Sequence, residues 1–328
     1  SRPSVPPPPE GPRPAMIIAL SAALRFHSKP IAECAVTSAP RLGAKAKALV
    51  AELRRLEAKD IKKQLHVNEA LAKQYEKGLS EFEKQQPVPA CSLYDSALFA
   101  AFDATSFEQD DAEWANRHVR IFSGLYGLLR PFDQIQALSL PVGLNTKLKN
   151  SKGNFLRDYW REPILRDLED SMQRFPMPVI VNCAAEEDHA ILNRDALPEG
   201  TRVASVTFKM IDKSRSEEAR GEFVRWALQE RCMSVEELLE YPGLIEEGEE
   251  ATMQLNPKLS GEDSLVFEEK VSSGGDGGWR AKMAEFGGSR KAFVKEHASG
   301  KQRHKRTEIN KSLAKESKKR SKGGPSVF

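Results

Sequence analysis

The sequence predicts a mixed α/β fold, a single domain with a disordered extension at each end, and three observations support that class. Short aliphatic runs alternate with longer amphipathic segments, which is the pattern of strands and helices that share one sheet. Hydrophobic residues make up 40% of the chain, enough to fill a sizeable core. The chain contains no run of eighteen apolar residues, so no membrane span is expected.

Composition divides the chain into three parts. Residues 1–14 contain seven prolines and predict an extended, disordered lead-in. Because the first residue is serine, we expect the chain to begin inside a longer product. The α/β domain is predicted to span residues 15–271. Residues 272–328 predict a glycine-rich linker and a basic tail that is too poor in apolar residues to fold by itself.

Charge is distributed unevenly along the chain. Residues 279–328 carry 15 lysines and arginines against four acidic residues, a net charge of +11, whereas residues 1–278 carry a net charge of −8. An acidic body weighs against a strong general nucleic-acid binder, although a local basic cleft stays open as a hypothesis. The four cysteines are far apart and lack a Cys-x-x-Cys pair, which argues against a zinc site and a disulfide scaffold and favours a reducing compartment.

Strands are predicted where short apolar runs are bounded by residues that break regular structure. Met16–Ser21 is the first such run. Residues 179–183 follow a proline and are rich in β-branched side chains, as in a buried strand. Two further strands are predicted at residues 203–211 and 264–267.

Helices are predicted from helical spacing and from capping groups. Leu42, Leu49 and Leu53 predict an amphipathic helix over residues 42–56, and Asn68 predicts the N-cap of the next helix. Asp110 and Asp111 suit the first turn of a helix that carries Ile121 and Phe122 on its core side. The remaining helices are predicted over residues 92–102, 154–175 with a kink or break at Pro163, 214–232, and a short segment after a capping box at Ser234.

The run 120–133, Arg-Ile-Phe-Ser-Gly-Leu-Tyr-Gly-Leu-Leu-Arg-Pro-Phe-Asp, is the most informative stretch. Gly124 and Gly127 allow positive φ or a close backbone approach. Arg120 and Arg130 bracket the turn and could reach an anion together. The alternative interpretation is a glycine turn between two core elements.

Polar residues follow the predicted strand at 179–183, and ligand sites of α/β folds gather at that end of a strand. From Asn182 to His189 the chain offers three carboxylates and an imidazole, groups that ligate hard cations. Acidic residues at a helix N-terminus are sufficiently explained by the helix dipole, so no metal is predicted.

Two arginines of the predicted helix 214–232, Arg220 and Arg225, lie about a turn apart, and their guanidinium groups suit phosphate or carboxylate. Pairing with neighbouring glutamates is the alternative. The most basic run of the body contains Lys147, Lys149, Lys152 and Arg157.

The order of these segments resembles that of the YaaA peroxide-stress family, also called the DUF328 family. The resemblance extends from about residue 16 to about residue 269. It is carried by Met16–Ser21, the run 120–133, and the segments 140–143, 145–148, 155–160, 179–187, 218–226 and 264–267.

The resemblance implies a cytoplasmic α/β protein that acts in peroxide stress and limits damage linked to intracellular iron. It also implies non-specific binding of double-stranded DNA through a basic cleft with a helix-hairpin-helix-like element, in which residues 124–127 turn between two helices. No cofactor is implied. The predicted DNA- or anion-binding residues are Arg120, Gly124, Gly127, Arg130, Lys147, Lys149, Lys152, Arg157, Arg220 and Arg225.

An alternative hypothesis is an enzyme or small-molecule binder with a polar pocket near Ser21, Asn182, Glu187 and Arg220. The first three of these residues match family motif positions. The sequence contains no Gly-x-Gly-x-x-Gly, P-loop or recognised Ser/His/Asp motif, so it alone indicates no catalytic chemistry.

Several polar positions depart from the family pattern. A third hypothesis is therefore a relative that keeps the scaffold and has lost the ancestral site. The departures are Ala22-Ala23-Leu24 for Pro-Ala-Lys, Ala185 for a serine, Asp188 for a tyrosine and Glu218 for a lysine.

The basic tail contains two clusters at a spacing that suits a two-part nuclear-import signal, and such clusters also bind nucleic acid. An import receptor is therefore a predicted partner besides DNA, and a nuclear location is the alternative to the cytoplasm. A solvated tail that raises solubility is the simpler interpretation. The clusters are Lys305 and Arg306, then Lys318, Lys319 and Arg320.

Overall fold

Strand β1 (Met16–Ser21) lies in the middle of a seven-stranded sheet in a computed structural model of this chain. The described residues all belong to one compact unit. They are residues 16–30, 34–138, 149, 155–172, 178–185, 188, 192, 197–210, 215–243 and 253–269. The extensions predicted at residues 1–14 and 272–328 lie outside these ranges.

The other strands follow in chain order. They are β2 (Val88–Pro89), β3 (Val119–Ser123), β4 (Gly127–Leu129), β5 (Gln134–Ile135), β6 (Val179–Asn182), β7 (Arg202–Lys209), β8 (Met253–Leu255) and β9 (Ser264–Glu269). In the large sheet their order is β4-β3-β1-β6-β7-β9-β8, and β2 pairs separately with β5. The five inner strands are parallel, while β4 and β8 are antiparallel to their neighbours.

The chain leaves the centre of this sheet in two opposite directions. From β1 it moves to β3 and β4 on one side, and from β6 it moves to β7 and the later strands on the other. The strand order reverses between β1 and β6, and α/β sheets commonly bind ligands in a crevice outside the carboxyl ends of the strands at such a point. Ser21 and Asn182, the last residues of β1 and β6, therefore lie at a candidate ligand position.

The apolar character of β1 follows from its central position. Ile17, Ile18 and Leu20 are almost fully buried. A parallel strand that is covered on both faces is apolar along its whole length, because its side chains point alternately to two faces and neither face contacts water. The strand predictions from such runs are confirmed for β1, β6, β7 and β9, with ends that differ by one or two residues.

The helices also follow the predicted order in most of the chain. The Asn68 side chain accepts a hydrogen bond from the Leu71 N–H, and Ser234 accepts one from the Glu237 N–H, so both predicted caps are confirmed. The helices are α1 (Gly43–Leu53), α2 (Ala58–Leu65), α3 (Glu69–Glu81), α4 (Ala90–Leu93), α5 (Ala97–Phe102), α6 (Gln109–His118), α7 (Leu156–Met172, which contains Pro163), α8 (Ser216–Gln229) and α9 (Val235–Leu238).

The prediction that residues 124–127 turn between two helices is wrong. Helix α6 ends at His118, and the apolar residues Ile121 and Phe122 lie in β3 beside β1. The turn leads into β4, which pairs with β3 in an antiparallel hairpin. The β-branched and aromatic residues of this segment suit a buried strand equally well, and the partner strand decides between the two structures.

The single helix predicted over residues 92–102 is also wrong. Helix α4 ends at Leu93, Tyr94 is extended and forms an antiparallel bridge with Phe26, and α5 begins at Ala97. The stacked rings of Phe26 and Tyr94, with centroids 5.8 Å apart, stabilise this interruption.

Trp160 explains the two glycines of the turn after β3. Its indole N–H donates a 2.7 Å hydrogen bond to the Gly124 carbonyl oxygen. Gly127 has a φ of +73°, and a Cβ there would lie 2.5 Å from the indole ring. The predicted close approach and positive φ are therefore confirmed at Gly127, where they allow a core aromatic side chain to pack against the hairpin.

Candidate functional site

Ser21 joins the end of β1 to the segment that follows β6. Its hydroxyl donates a 2.6 Å hydrogen bond to the Asp188 carboxylate. The same oxygen accepts a 2.8 Å hydrogen bond from the Ala185 N–H. Ser21 is half-buried, and the bridge lies at the point where the strand order reverses.

Asn182 and Cys183 form a buried part of the same edge. Asn182 is 3% exposed, and its side-chain oxygen accepts a 3.1 Å hydrogen bond from the Ala184 N–H, which turns the chain after β6. Burial raises the pKa of the Cys183 thiol to about 12, and the positive charge of Arg220 opposes that rise. Cys183 is therefore an uncharged, unreactive thiol at neutral pH.

Arg220 is placed near Cys183 by the packing of helix α8. Its neighbour Gly221 lies so close to α5 that a Cβ would be 2.2 Å from the Leu98 carbonyl oxygen. This contact fixes the position of α8 and, with it, that of Arg220. The Arg220 Nε is buried and has no hydrogen-bond partner among the described residues. A buried guanidinium N–H without an acceptor is costly, so an acceptor supplied by a ligand would stabilise it.

A second pocket lies beside this site, at the carboxyl ends of β1 and β3. Its lining includes Ala22, Tyr94, Ser123 and Tyr126. The Ser123 hydroxyl oxygen accepts a 3.2 Å hydrogen bond from the Tyr126 N–H and lies 3.4 Å from the Tyr94 hydroxyl. Burial raises the pKa of both phenols, that of Tyr126 to about 12, so both hydroxyls stay protonated at neutral pH.

Arg120 lies inside the protein, where it caps the carboxyl end of α6. Its Nη1 donates to the carbonyl oxygens of Asn116, Arg117 and Val119 at 3.2, 3.2 and 2.9 Å. The residue is 5% exposed, and burial lowers the pKa of its guanidinium to about 10, although the Asp167 carboxylate opposes that shift. These contacts explain Arg120 as a buried structural cation.

Arg130 is paired within its own motif. Its Nη2 lies 2.9 Å from the carboxylate of Asp133, a residue that is 1% exposed, and 2.8 Å from the Ala39 carbonyl oxygen. Arg130 thus pairs with the chain's own Asp133, and the charge of Asp167 is close enough to Arg120 to raise the pKa of its guanidinium against the effect of burial. A contact of Arg120 or Arg130 with DNA stays a prediction.

Arg225 holds α8 against the turn that follows α5. Its Nη1 donates to the Phe102 and Asp103 carbonyl oxygens at 3.2 and 3.0 Å, and the guanidinium lies 5.4 Å from the centre of the Phe107 ring.

Lys149 is exposed, and its ammonium lies 4.6 Å from the centre of the Phe155 ring. Arg157 is half-buried. The described contacts of Arg225 and Lys149 give no sign of a shared basic cleft.

Ser21 and Asn182 end neighbouring strands at one edge of the sheet, and Arg220 lies near Cys183, the residue after Asn182. A shared polar pocket of these residues stays a prediction. The remaining predicted residues lie outside the described part of the chain. These are Lys147, Lys152, Glu187, Lys305, Arg306, Lys318, Lys319 and Arg320.

Sequence reasoning missed three polar groups of this edge, Asp188, Tyr94 and Ser123. In the sequence, Asp188 is one carboxylate of the run 182–189 and a departure from the family pattern, and no local spacing links it to Ser21. Ser123 was part of the quoted glycine run, but its contact with Tyr94 depends on the pairing of β1 with β3. The position of Ser123 at the end of a strand next to β1 is the one signal that could have indicated it.

No group of three or more His, Cys, Asp or Glu side chains that could hold a metal occurs within the described ranges. Of the run 182–189, the structure describes residues 182–185 and 188. None of the described helices is both long and apolar enough to cross a membrane.

The strand order and the polar edge define an α/β protein with a candidate ligand site at the point where the sheet reverses direction. A sequence model of the family described as peroxide stress protein YaaA matches residues 16–244 of this chain. The chain therefore belongs to the YaaA peroxide stress family.

Relatives named as UPF0246 proteins support this membership. One from Cereibacter sphaeroides ATCC 17029 is 31% identical over 237 residues, which cover 68% of this chain and 90% of the relative. Another, from strain ATCC 17025, is 30% identical over 264 residues, or 77% of this chain and 98% of the relative. A third, from Caulobacter vibrioides NA1000, is 32% identical over 207 residues, or 58% and 79%.

Proposed function

We propose that this peroxide-stress protein binds a small anionic molecule in the crevice between the carboxyl ends of β1 and β6. The observation that carries the proposal is the buried Arg220 Nε, which has no acceptor among the described residues. Its position near Cys183 places a guanidinium beside the end of β6. Guanidinium groups bind phosphate and carboxylate through paired, charge-assisted hydrogen bonds.

The surroundings of Arg220 favour binding of an anion over a structural ion pair. Arg225, one turn later on the same helix, is occupied by carbonyl oxygens and by Asp103. Arg215 pairs with Glu218 and Glu269. Arg220 shows no such described partner, and it lies on a helix whose position is fixed by Gly221. A cation on a helix whose position is fixed loses little freedom when an anion binds.

Calorimetric titration of the full chain with inorganic phosphate and with succinate tests the proposal. We expect binding of at least one anion, and we expect Arg220→Ala to weaken it by tenfold or more. Arg166→Ala is the matched control, because Arg166 is an exposed helical arginine that pairs with Glu162 on the surface. Equal binding by wild type and Arg220→Ala, or no binding by either, would contradict the proposal.

A second proposal is that the chain binds double-stranded DNA without sequence preference, chiefly through its basic tail. The net charge of +11 on residues 279–328 supports it, because non-specific affinity comes from phosphate neutralisation. Carbonyl and carboxylate oxygens inside the protein already bind the guanidinium groups of Arg120, Arg130 and Arg225. Binding to DNA would bring a peroxide-stress protein to a molecule that iron-linked oxidation damages, in line with the role that the family resemblance implies.

Fluorescence anisotropy with a DNA duplex at increasing salt separates the tail from the body. Deletion of residues 279–328 should remove most of the affinity and most of its salt dependence. Lys318→Ala, Lys319→Ala and Arg320→Ala combined should weaken binding in part and, if the tail carries an import signal, make a fluorescent fusion cytoplasmic. Undiminished binding after the deletion would place the DNA contact in the body instead.

A further inference from the structure

The pocket at the carboxyl ends of β1 and β3 encloses about 330 Å³, a volume that includes the part open to solvent. Apolar side chains such as those of Leu125, Ile135 and Leu138 form much of its lining, and hydroxyl groups form the rest of its inner part. None of its described lining residues carries a charge. An ion would lose water in this pocket without gaining a charged partner, so the pocket favours an uncharged ligand.

The pocket has a buried floor and an exposed mouth. On the floor, Tyr94 and Ser123 are 3% and 4% exposed, whereas Leu24 at the mouth is 57% exposed. A ligand can therefore place a small polar group on the floor while an apolar body extends past Leu24 toward solvent.

Backbone and ring contacts hold the wall that contains Tyr94. Tyr94 forms an antiparallel bridge with Phe26, and the two rings are stacked. The His27 N–H donates to the Leu93 carbonyl oxygen at 2.9 Å, and the ring of Phe99 lies 5.1 Å from that of Tyr94, centre to centre. A wall supported in this way is formed before a ligand arrives, so little ordering opposes binding.

Two hydroxyl groups on the floor form a pair with unused hydrogen-bonding capacity. The Tyr94 hydroxyl lies 3.4 Å from the Ser123 hydroxyl oxygen, which also accepts a 3.2 Å hydrogen bond from the Tyr126 N–H. The pair contains two hydroxyl protons, and only one of them is used between the two oxygens. The other proton has no acceptor among the described residues. Whichever hydroxyl donates to the other, the pair offers one O–H donor and one acceptor oxygen to the pocket.

The third hydroxyl of the lining is already paired. The Tyr126 oxygen accepts a 2.9 Å hydrogen bond from the Gln136 N–H, and its proton is donated to the Gln136 carbonyl oxygen at 3.3 Å. Among the described lining residues, the Ser123–Tyr94 pair is therefore the buried polar group that a ligand can bond.

A primary carboxamide matches this pair. Its oxygen accepts a hydrogen bond and its neighbouring N–H donates one, so both groups of the pair are satisfied together. A carboxylate of the same shape brings a charge and offers acceptors only, and a hydrocarbon leaves a buried hydroxyl proton unpaired. Sites with buried polar groups discriminate strongly against a ligand that cannot bond them.

We propose that this pocket binds a small uncharged molecule that carries a primary carboxamide on an apolar or aromatic body, with the amide bonded to Ser123 and Tyr94. The inference is independent of the anion site, because it concerns a different pocket and a ligand without charge.

Calorimetric titration of the full chain with benzamide tests the proposal. We expect binding with a Kd of about 1 mM or lower, as suits a ligand of this size. Benzoate is the matched control ligand, because it has nearly the same shape but carries a charge and no donor. It should bind at least tenfold more weakly than benzamide.

Two variants test the residues. Tyr94→Phe keeps the ring and removes one hydroxyl of the pair, and Ser123→Ala removes the other, so each should weaken benzamide binding by about tenfold. Tyr241→Phe is the matched control, because Tyr241 is also buried, its hydroxyl has no partner among the described residues, and it is not part of the described lining. It should bind benzamide as the wild type does.

Three results would overturn the proposal. They are no binding of benzamide by the wild type, equal binding of benzamide and benzoate, or unchanged benzamide binding in both Tyr94→Phe and Ser123→Ala. Since the comparison of the two ligands uses the wild-type chain, a folding defect in a variant leaves the test intact.

Discussion

Ser21 and Asp188 are separated by 167 residues, and a 2.6 Å hydrogen bond joins the hydroxyl of the first to the carboxylate of the second. The bridge connects the end of the central strand to the segment after β6. The main-chain N–H of Ala185 also donates to the Ser21 hydroxyl oxygen, so Ser21 joins β1 to two points of that segment.

Replacing Ser21 should destabilise the protein moderately. Ser21→Ala removes a donor to Asp188 and an acceptor for the Ala185 N–H, so we expect the free energy of unfolding to fall by about 1–3 kcal/mol. Urea denaturation measures the change. Ser80→Ala is the control, because Ser80 is exposed and bonds only to the Lys77 carbonyl oxygen within its own helix. Equal stability of the two variants would show that the bridge contributes nothing.

Replacing Gly127 should cost more. In Gly127→Ala, the Cβ would lie 2.5 Å from the Trp160 ring at a φ of +73°, so strain and a clash add together. We expect a loss of about 2–4 kcal/mol in unfolding free energy. Gly261→Ala provides the comparison, since a Cβ at that position meets nothing within 4 Å. A near-neutral effect of Gly127→Ala would contradict the packing of the hairpin on Trp160.

Two helical glycines should respond in opposite directions. Gly221→Ala places a Cβ 2.2 Å from the Leu98 carbonyl oxygen, which must separate α8 from α5, and we expect a loss of about 3 kcal/mol. Gly78→Ala in α3 has its nearest contact at 4.0 Å. Alanine favours the helix, so this variant should gain about 0.5–1 kcal/mol. Thermal unfolding of both variants measures the contrast, and the same sign in both would refute it.

His118 should make the protein sensitive to acid. Burial lowers the pKa of its imidazole to about 4, against an ordinary value of 6.5, and its Nδ1–H donates to the Met16 carbonyl oxygen at 2.9 Å. Between about pH 4 and pH 6.5, the His118 imidazole is therefore protonated in the unfolded chain and neutral in the folded chain. Stability is fully present above pH 6.5 and is lost as the pH falls toward 4, by about 1.4 kcal/mol per pH unit in the middle of that window.

His118→Gln tests this pH dependence, because glutamine supplies an N–H but does not titrate. Denaturant unfolding between pH 4 and pH 7 should show a shallower loss of stability in the variant than in the wild type. Parallel curves would assign the acid sensitivity to other groups.

Much of the fold could be predicted because its signals are local. The Asn68 cap and the Met16–Ser21 run depend on neighbouring residues alone, and both are confirmed. The hairpin after α6 was not predictable in the same way. Ile121 and Phe122 suit the buried face of a helix or of a strand, and only their pairing beside β1 decides the matter.

The candidate site was also predictable only where its signals are local in the sequence. Ser21 and Asn182 end apolar runs, and the carboxyl ends of strands are favoured ligand positions. The hydrogen bond between Asp188 and Ser21 was not predictable, because the two residues are distant in sequence. The role of Arg120 also depends on three-dimensional context, since an arginine in a sequence gives no sign that main-chain carbonyl oxygens will surround it.

The central position of β1 has a consequence for synthesis. Ile18 pairs with Val119 on one side and with Val181 on the other, so β1 is synthesised long before both of its partner strands. At roughly 5–20 residues per second, the wait for the second partner is on the order of ten seconds or more. During that time an apolar strand has two unpaired edges, which are open to aggregation. The strand that positions Ser21 is thus also a segment of the nascent chain that a chaperone would protect.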